Sequence, residues 1–248
     1  MKKLLAILLV MACMLSIVSC TKVDPNAKSE GTMTYEEYMA AELESDVVIE
    51  AFVQGKQSYR KDKNAGTVYL QDGEGGYLAY EIKCTEDEYN QLQIGTKVKF
   101  TGVKTEWKGL VELKSGCTFE IVGTETWVAE ALDVTTLLGT DDIAAKQNMK
   151  VSFKGMKIEA KVDEAGNECA FFYNWDNSGA EDPYADLYFD ASVNGKTYTF
   201  VIESSLCDKN SDVYKAVQAL KVGDTVDMEG FLYWYEGPQP HITNITVK

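Results

Sequence analysis

The chain is poor in the residues from which most active sites and polyanion grips are built. It holds one histidine, His241, and one arginine, Arg60, which limits histidine triads and multi-histidine metal sites to a single contributor. Its 39 Asp and Glu outnumber 24 Lys and Arg, giving a formal net charge of −15. Paired guanidinium forks, the usual phosphate clamps, are therefore missing, and a surface of this sign repels a phosphate backbone. The expectation from charge is that nucleic acid is not a partner. No GxSxG elbow, Walker loop, HExxH helix, CxxC pair or glycine-rich dinucleotide turn occurs. Binding rather than catalysis is expected, with no cofactor and no metal. With 45% apolar and 25% charged residues, the chain is ordinary globular material. Its 248 residues have room for one large domain or two small ones.

What is present begins with an address. Met1-Lys2-Lys3 is basic, Leu4 to Val18 is apolar except for Ser16, and Ser19-Cys20 follows. This is the layout of a secretory signal, too short for a membrane span. Ile17-Val18-Ser19-Cys20 resembles the bacterial lipobox. That resemblance implies cleavage before Cys20, lipidation of its thiol, and a protein anchored to the cell membrane or outer membrane, facing away from the cytoplasm. Two or three acyl chains, each buried CH₂ contributing about 0.8 kcal/mol, hold such a protein firmly. Loss of residues 1–19 removes Lys2 and Lys3 and takes the charge to −17. Residues 20–32 are polar, contain Pro25 and Gly31, and read as a tether. The cysteines beyond it, Cys84, Cys117, Cys169 and Cys207, leave two readings open. One pairs Cys84 with Cys117 and Cys169 with Cys207; the other leaves buried free thiols.

The strongest internal signal is a repeat. Leu92-Gln93-Ile94-Gly95-Thr96-Lys97-Val98-Lys99-Phe100-Thr101-Gly102 aligns without a gap on Leu220-Lys221-Val222-Gly223-Asp224-Thr225-Val226-Asp227-Met228-Glu229-Gly230. Upstream of each copy lie a helix-prone stretch and an alternating strand. The first half reads as strands at 46–57, 67–71 and 77–83, a helix within 85–92, then strands at 96–105 and 109–114. The second reads as strands at 149–161, 186–193 and 196–203, a helix within 208–220, then strands at 224–233 and 241–247. Asn194-Gly195 signals a tight hairpin. Short helices are expected at 35–44, 133–138 and 141–146, positioned to plug the open barrel ends.

Three strands, a helix and two strands is the order of a five-stranded Greek-key barrel. By this order and the Leu-x-x-Gly-x-x-Val phrase, each half resembles the OB-fold domains of exported bacterial lipoproteins. The resemblance implies two tandem OB-fold-like barrels, at 33–123 and 149–248, joined by a helical connector at 124–148. A single sandwich of ten short strands is the competing architecture.

OB-folds bind across their second and third strands, rimmed by the loops joining strands one to two and four to five. Alternation with Leu78, Tyr80 and Ile82 inward turns Tyr69 and Tyr77 outward, beside Gln71 and Lys104, with Trp107 on the next hairpin. In the second half, the long insertion after the first strand carries Phe171-Phe172-Tyr173-Asn174-Trp175 and ends near Tyr184, with Trp234 and Tyr235 as a rim. Exposed aromatics stack on sugar rings or bases. A carbohydrate or an envelope protein is thus the expected ligand class. A subunit role in a surface assembly and single-strand capture through Arg60, Lys61, Lys63 and Lys104 are the alternatives. Asn174 to Gly179 resembles the start of a calcium loop, but Ala185 stands where a bidentate Glu is required. Glu50, Glu81 and Asp190 read as the wet face of their strands.

Overall fold

The structure is a computed structural model that describes residues 23–180, 182 and 184–248. The signal segment and Cys20 lie outside the described residues. The fold is mainly β, with two five-stranded barrels in tandem. Helix α1 (Tyr35–Ala40) leads into β1 (Asp46–Lys56), β2 (Ala65–Gln71), β3 (Gly76–Lys83), α2 (Glu86–Gln91), β4 (Thr96–Trp107), β5 (Leu110–Leu113) and β6 (Thr118–Thr126). The sheet runs β1-β2-β3-β5-β4-β6 and closes through β1–β4 pairing. A short β7 (Leu132–Asp133) and two 3₁₀ turns, Thr135–Leu137 and Asp141–Lys146, form the connector. The second unit adds β8 (Lys150–Glu159), β9 (Lys161–Val162), β10 (Glu168–Cys169), β11 (Phe172–Tyr173), β12 (Leu187–Val193), β13 (Lys196–Ile202), α3 (Asp212–Gln218), β14 (Thr225–Phe231) and β15 (His241–Val247). Its barrel runs β12-β13-β15-β14-β8 and closes through β12–β8. Both barrels have the strand adjacency of an OB-fold, with a short helix between the third and fourth strands.

The repeated phrase has a structural reason. Gly95 and Gly223 hold φ of 88° and 93°, where a side chain is strained. Each N–H donates 2.8 Å to the first strand of its own barrel, to the Val53 and Ile158 carbonyls respectively. The turn therefore fixes where the fourth strand starts against the first. Capping boxes start α1 at Thr34 and α2 at Thr85, each with a glutamate reaching back three residues later. Asn194 and Gly195 both take positive φ, as a two-residue hairpin requires.

Each barrel has its own core, one around Val47, Ile49, Tyr77 and Phe100, the other around Phe153, Phe189, Phe200 and Val226. A third cluster, Tyr69, Leu78, Leu110 and Phe231, joins them. Tyr69 stacks on Phe231 with centroids 4.2 Å apart and planes within 9°. Polar contacts flank the stack: Gln71 Oε1 accepts from Lys150 N–H at 2.7 Å, and Gln147 both accepts from Val111 N–H and donates to the Gly109 carbonyl. All seven residues of β2 are buried because its two faces meet different barrels.

Several expectations are corrected here. Tyr69 and Tyr77 are fully buried, not outward. Tyr69 does leave its own barrel, but it enters the seam rather than water. Tyr77 turns inward because β3 carries a bulge: Thr67 sits opposite both Tyr80 and Glu81, and Glu81 takes φ of 45°. The alternation therefore shifts phase, so that Tyr77, Ala79 and Ile82 face the core. Gln71 and Lys104 are buried as well, Lys104 donating to the carbonyls of Met39 and Ala41. Glu50 is buried rather than wet, paired with Lys97 at 2.8 Å. Residues 26–29 of the segment read as a tether are fastened to the first barrel. Asn26 accepts from Gly73 N–H, and Lys28 reaches the buried Asp72 at 2.6 Å. The four cysteines beyond residue 22 are free thiols. Strand β6, absent from the sequence reading, prolongs the fifth strand of the first barrel.

The seam makes a measurable claim. Phe231→Ala removes the ring that fills it and is expected to cost about 3–4 kcal/mol in urea unfolding. The single transition of the parent should split into two, one for each barrel.

Candidate functional site

The two barrels meet so that the second and third strands of each, with their flanking loops, open onto one cleft. On the first-barrel side lies a cavity of about 890 Å³, bordered by Tyr80, Glu81, Trp107, Glu112, Tyr184 and Glu203. A cavity of about 570 Å³ adjoins it on the second-barrel side, with Trp175, Asp186, Tyr188 and Tyr235. Trp107, Glu203, Tyr233 and His241 line both. Beside Trp107, Lys108 pairs with Glu236, and Glu236 N–H donates 2.8 Å to the Lys108 carbonyl. This contact joins the β4–β5 hairpin of the first barrel to the β14–β15 loop of the second.

The aromatics at the mouth are open to solvent: Trp107 is 55% exposed, Trp175 75% and Tyr184 80%. Tyr235 is also exposed. Four of the seven aromatics singled out from sequence thus converge on the cleft. Tyr69 and Tyr77 do not, for the reasons given above. Trp234 sits at the barrel junction, packed against the seam cluster, and borders a separate shallow depression with Tyr198 and Ile143.

Deeper in, Glu203 is held by three groups. Gln57 donates to both of its oxygens at 2.7 and 2.8 Å, Ser205 donates at 2.9 Å, and His241 Nδ1 lies 3.0 Å away. Burial opposes its charge, yet His241, Ser205 and Gln57 outweigh that cost and hold its carboxyl below the usual range. Tyr69 reaches the same Nδ1 at 2.9 Å, which ties the seam to the cleft floor. Tyr233 stacks on His241 with centroids 4.1 Å apart. Glu112 has no such support. It is 7% exposed, and among the described residues it has neither a hydrogen bond nor an ion pair. Burial, aided by the charge of Glu81, pushes its carboxyl up to about 7.

The other charged candidates are engaged locally. Arg60 pairs with Asp62 and Glu81, Lys61 with Glu86, Lys63 with Glu81, and Lys104 is buried, so no basic patch assembles from them. Asp190 bonds Lys161 and Thr199. In the insertion, Asp176 accepts from Ser178 N–H and Asp182 from Tyr184 N–H, each shaping its own turn, while Asp186 accepts from Ser204 N–H just after β13. Sequence reading missed Tyr80, Glu112, Glu203, Tyr233 and His241 as cleft residues. Glu112 alone carried a signal, as an acid inside the otherwise apolar run Leu110-Val111-Glu112-Leu113; the others become neighbours only when the barrels dock.

No known protein family and no curated protein matches the chain. Solved structures do. A HIN domain of Ifi202, described in complex with 20-base-pair double-stranded DNA, is 11% identical and matches 82% of this chain and 98% of its own, with a TM-score of 0.35. A murine DNA-binding protein bound to double-stranded DNA is 10% identical over 81% and 94%, at 0.37. The single-stranded DNA-binding protein of Thermus aquaticus is 10% identical over 82% and 92%, at 0.25. The charge-based expectation that nucleic acid is not a partner runs against these structures, two of which are described with double-stranded DNA bound; the binding is theirs, and the likeness to this chain is one of fold. That expectation rested on summed charge, and a total over the chain does not give the potential at one face.

Glu112 sets a pH dependence. Its native carboxyl keeps its proton to a higher pH than the unfolded one, so stability falls as pH rises from about 4.5 towards 7 and the loss is complete above that. Glu112→Gln removes the cost. Urea unfolding should find the variant about 2–3 kcal/mol more stable than the parent at pH 8 and within about 0.5 kcal/mol of it at pH 4.

Proposed function

We propose that the protein is a lipid-anchored, extracytoplasmic binding protein that seats an oligosaccharide in the cleft between its two barrels, and that it acts by binding rather than catalysis. The observation that carries this reading is the ring of solvent-open aromatics, Trp107, Trp175 and Tyr184, above a floor of carboxylates. A sugar presents flat CH faces that stack on such rings and hydroxyls that donate to such oxygens. The lipobox-like Ile17-Val18-Ser19-Cys20 supports the anchoring, and the OB-fold habit of binding across strands two and three supports the choice of face.

The test is a glycan array run beside single- and double-stranded oligonucleotides at physiological salt. Glycan binding that falls about 30-fold or more in Trp107→Ala is the expected result, as for a central aromatic anchor. A blank array with salt-sensitive oligonucleotide binding overturns the sugar reading in favour of nucleic acid. For the anchor, Cys20→Ser should move the protein from the detergent phase to the aqueous phase, and equal partitioning of both forms would refute lipidation.

A further inference from the structure

We propose that the ligand in the cleft carries an ammonium group, and that Glu112 is the counter-ion that receives it. The inference rests on the cleft being a glycan site and names the glycan class: a sugar with a free amine.

Most carboxylates near the cleft already hold partners. Glu203 is satisfied by Gln57, Ser205 and His241, Glu81 by Arg60 and Lys63, and Asp186 by the N–H of Ser204. Asp208 accepts from Asn210 N–H and Glu106 is solvent-exposed, so among the described residues Glu112 is the buried carboxylate of the larger cavity whose side chain has neither a hydrogen bond nor an ion pair. A largely buried carboxylate without a donor is costly, and an incoming cation would lower that cost.

The surroundings choose the sign of that group. The basic groups that border the cavity are already paired, Arg60 with Asp62 and Glu81, Lys114 with Glu44 at 2.6 Å, and His241 with Glu203 at 3.0 Å. Tyr80, Trp107 and Tyr233 border the same cavity, and aromatic faces attract an ammonium through their quadrupole. A hydroxyl would give Glu112 one hydrogen bond and leave its charge uncompensated. An ammonium supplies three donors and the opposite charge together. The titratable side chains that border the cavity with Glu112 from the neighbouring strands and loops are Glu81 and Tyr80 on β3, Tyr233 beyond β14, and His241 on β15, which Glu203 holds; none of them offers Glu112 a free positive charge.

Calorimetry of the full-length protein near neutral pH tests this with three probes: the β-1,4 tetramer of glucosamine, the tetramer of N-acetylglucosamine, and spermine. The glucosamine tetramer should bind about 30-fold or more tightly than its acetylated counterpart, and Glu112→Gln should erase that difference. The variant is isosteric and keeps the fold, which the melting curve reports independently. Equal binding of the two tetramers, or a preference unchanged in Glu112→Gln, overturns the ammonium assignment and leaves the glycan reading standing. Binding of spermine alone, lost in Glu112→Gln, supports the ammonium assignment and removes the sugar. Failure of all three probes overturns the proposal.

Discussion

The packing of Tyr69 on Phe231 is the contact on which the rest of the molecule depends. Two OB-fold barrels on one chain are free to sit in any relation that their linker allows. Here Tyr69 on the outer face of β2 is fully buried against Phe231 of the second barrel. Once the rings are stacked, Gln71, Gln147 and Asn148 find backbone partners across the boundary, and the Tyr69 hydroxyl reaches His241. The cleft is therefore a property of the pair, since neither barrel alone brings Trp107 and Glu203 to one cavity.

The barrels themselves were legible in the chain because their signals are local. Leu-x-x-Gly-x-x-Val marks a turn that only a residue tolerant of positive φ can make, and it occurs twice. The helices were expected from helix-prone stretches, and Thr34 and Thr85, each followed by Glu at the third position, are what start two of them. The errors share a cause of longer range. Period two tells which residues leave a strand on the same side, but not what waits there, so Tyr69 was correctly turned away from its own barrel and wrongly given to water. For Tyr77 the phase itself failed, because a bulge at Glu81 leaves no compositional mark. Strand β6 escaped notice because it is almost wholly exposed, and an exposed strand has no reason to alternate.

The two glutamates of the cleft show how the same side chain can serve opposite ends. Glu203 is embedded in donors and remains charged against the cost of burial. Glu112 lies about as close to the seam, on a strand only four residues long, and has none. One acts as a fixed part of the floor, orienting His241, whereas the other is an open valence. Net charge summed over the sequence conceals this difference, just as it concealed that the basic residues near Arg60 are each matched by a neighbouring acid.

The fastening of Asn26 and Lys28 to the first barrel bears on how the molecule would stand on a surface. Five residues lie between Cys20 and Asn26, and a fully extended chain spans at most about 3.6 Å per residue. With lipid on Cys20, as proposed, the barrel would be held within roughly 20 Å of the headgroups. Such a protein does not sweep the medium on a long leash. It samples only what diffuses into the layer next to the membrane or is handed over by a neighbour at the same height.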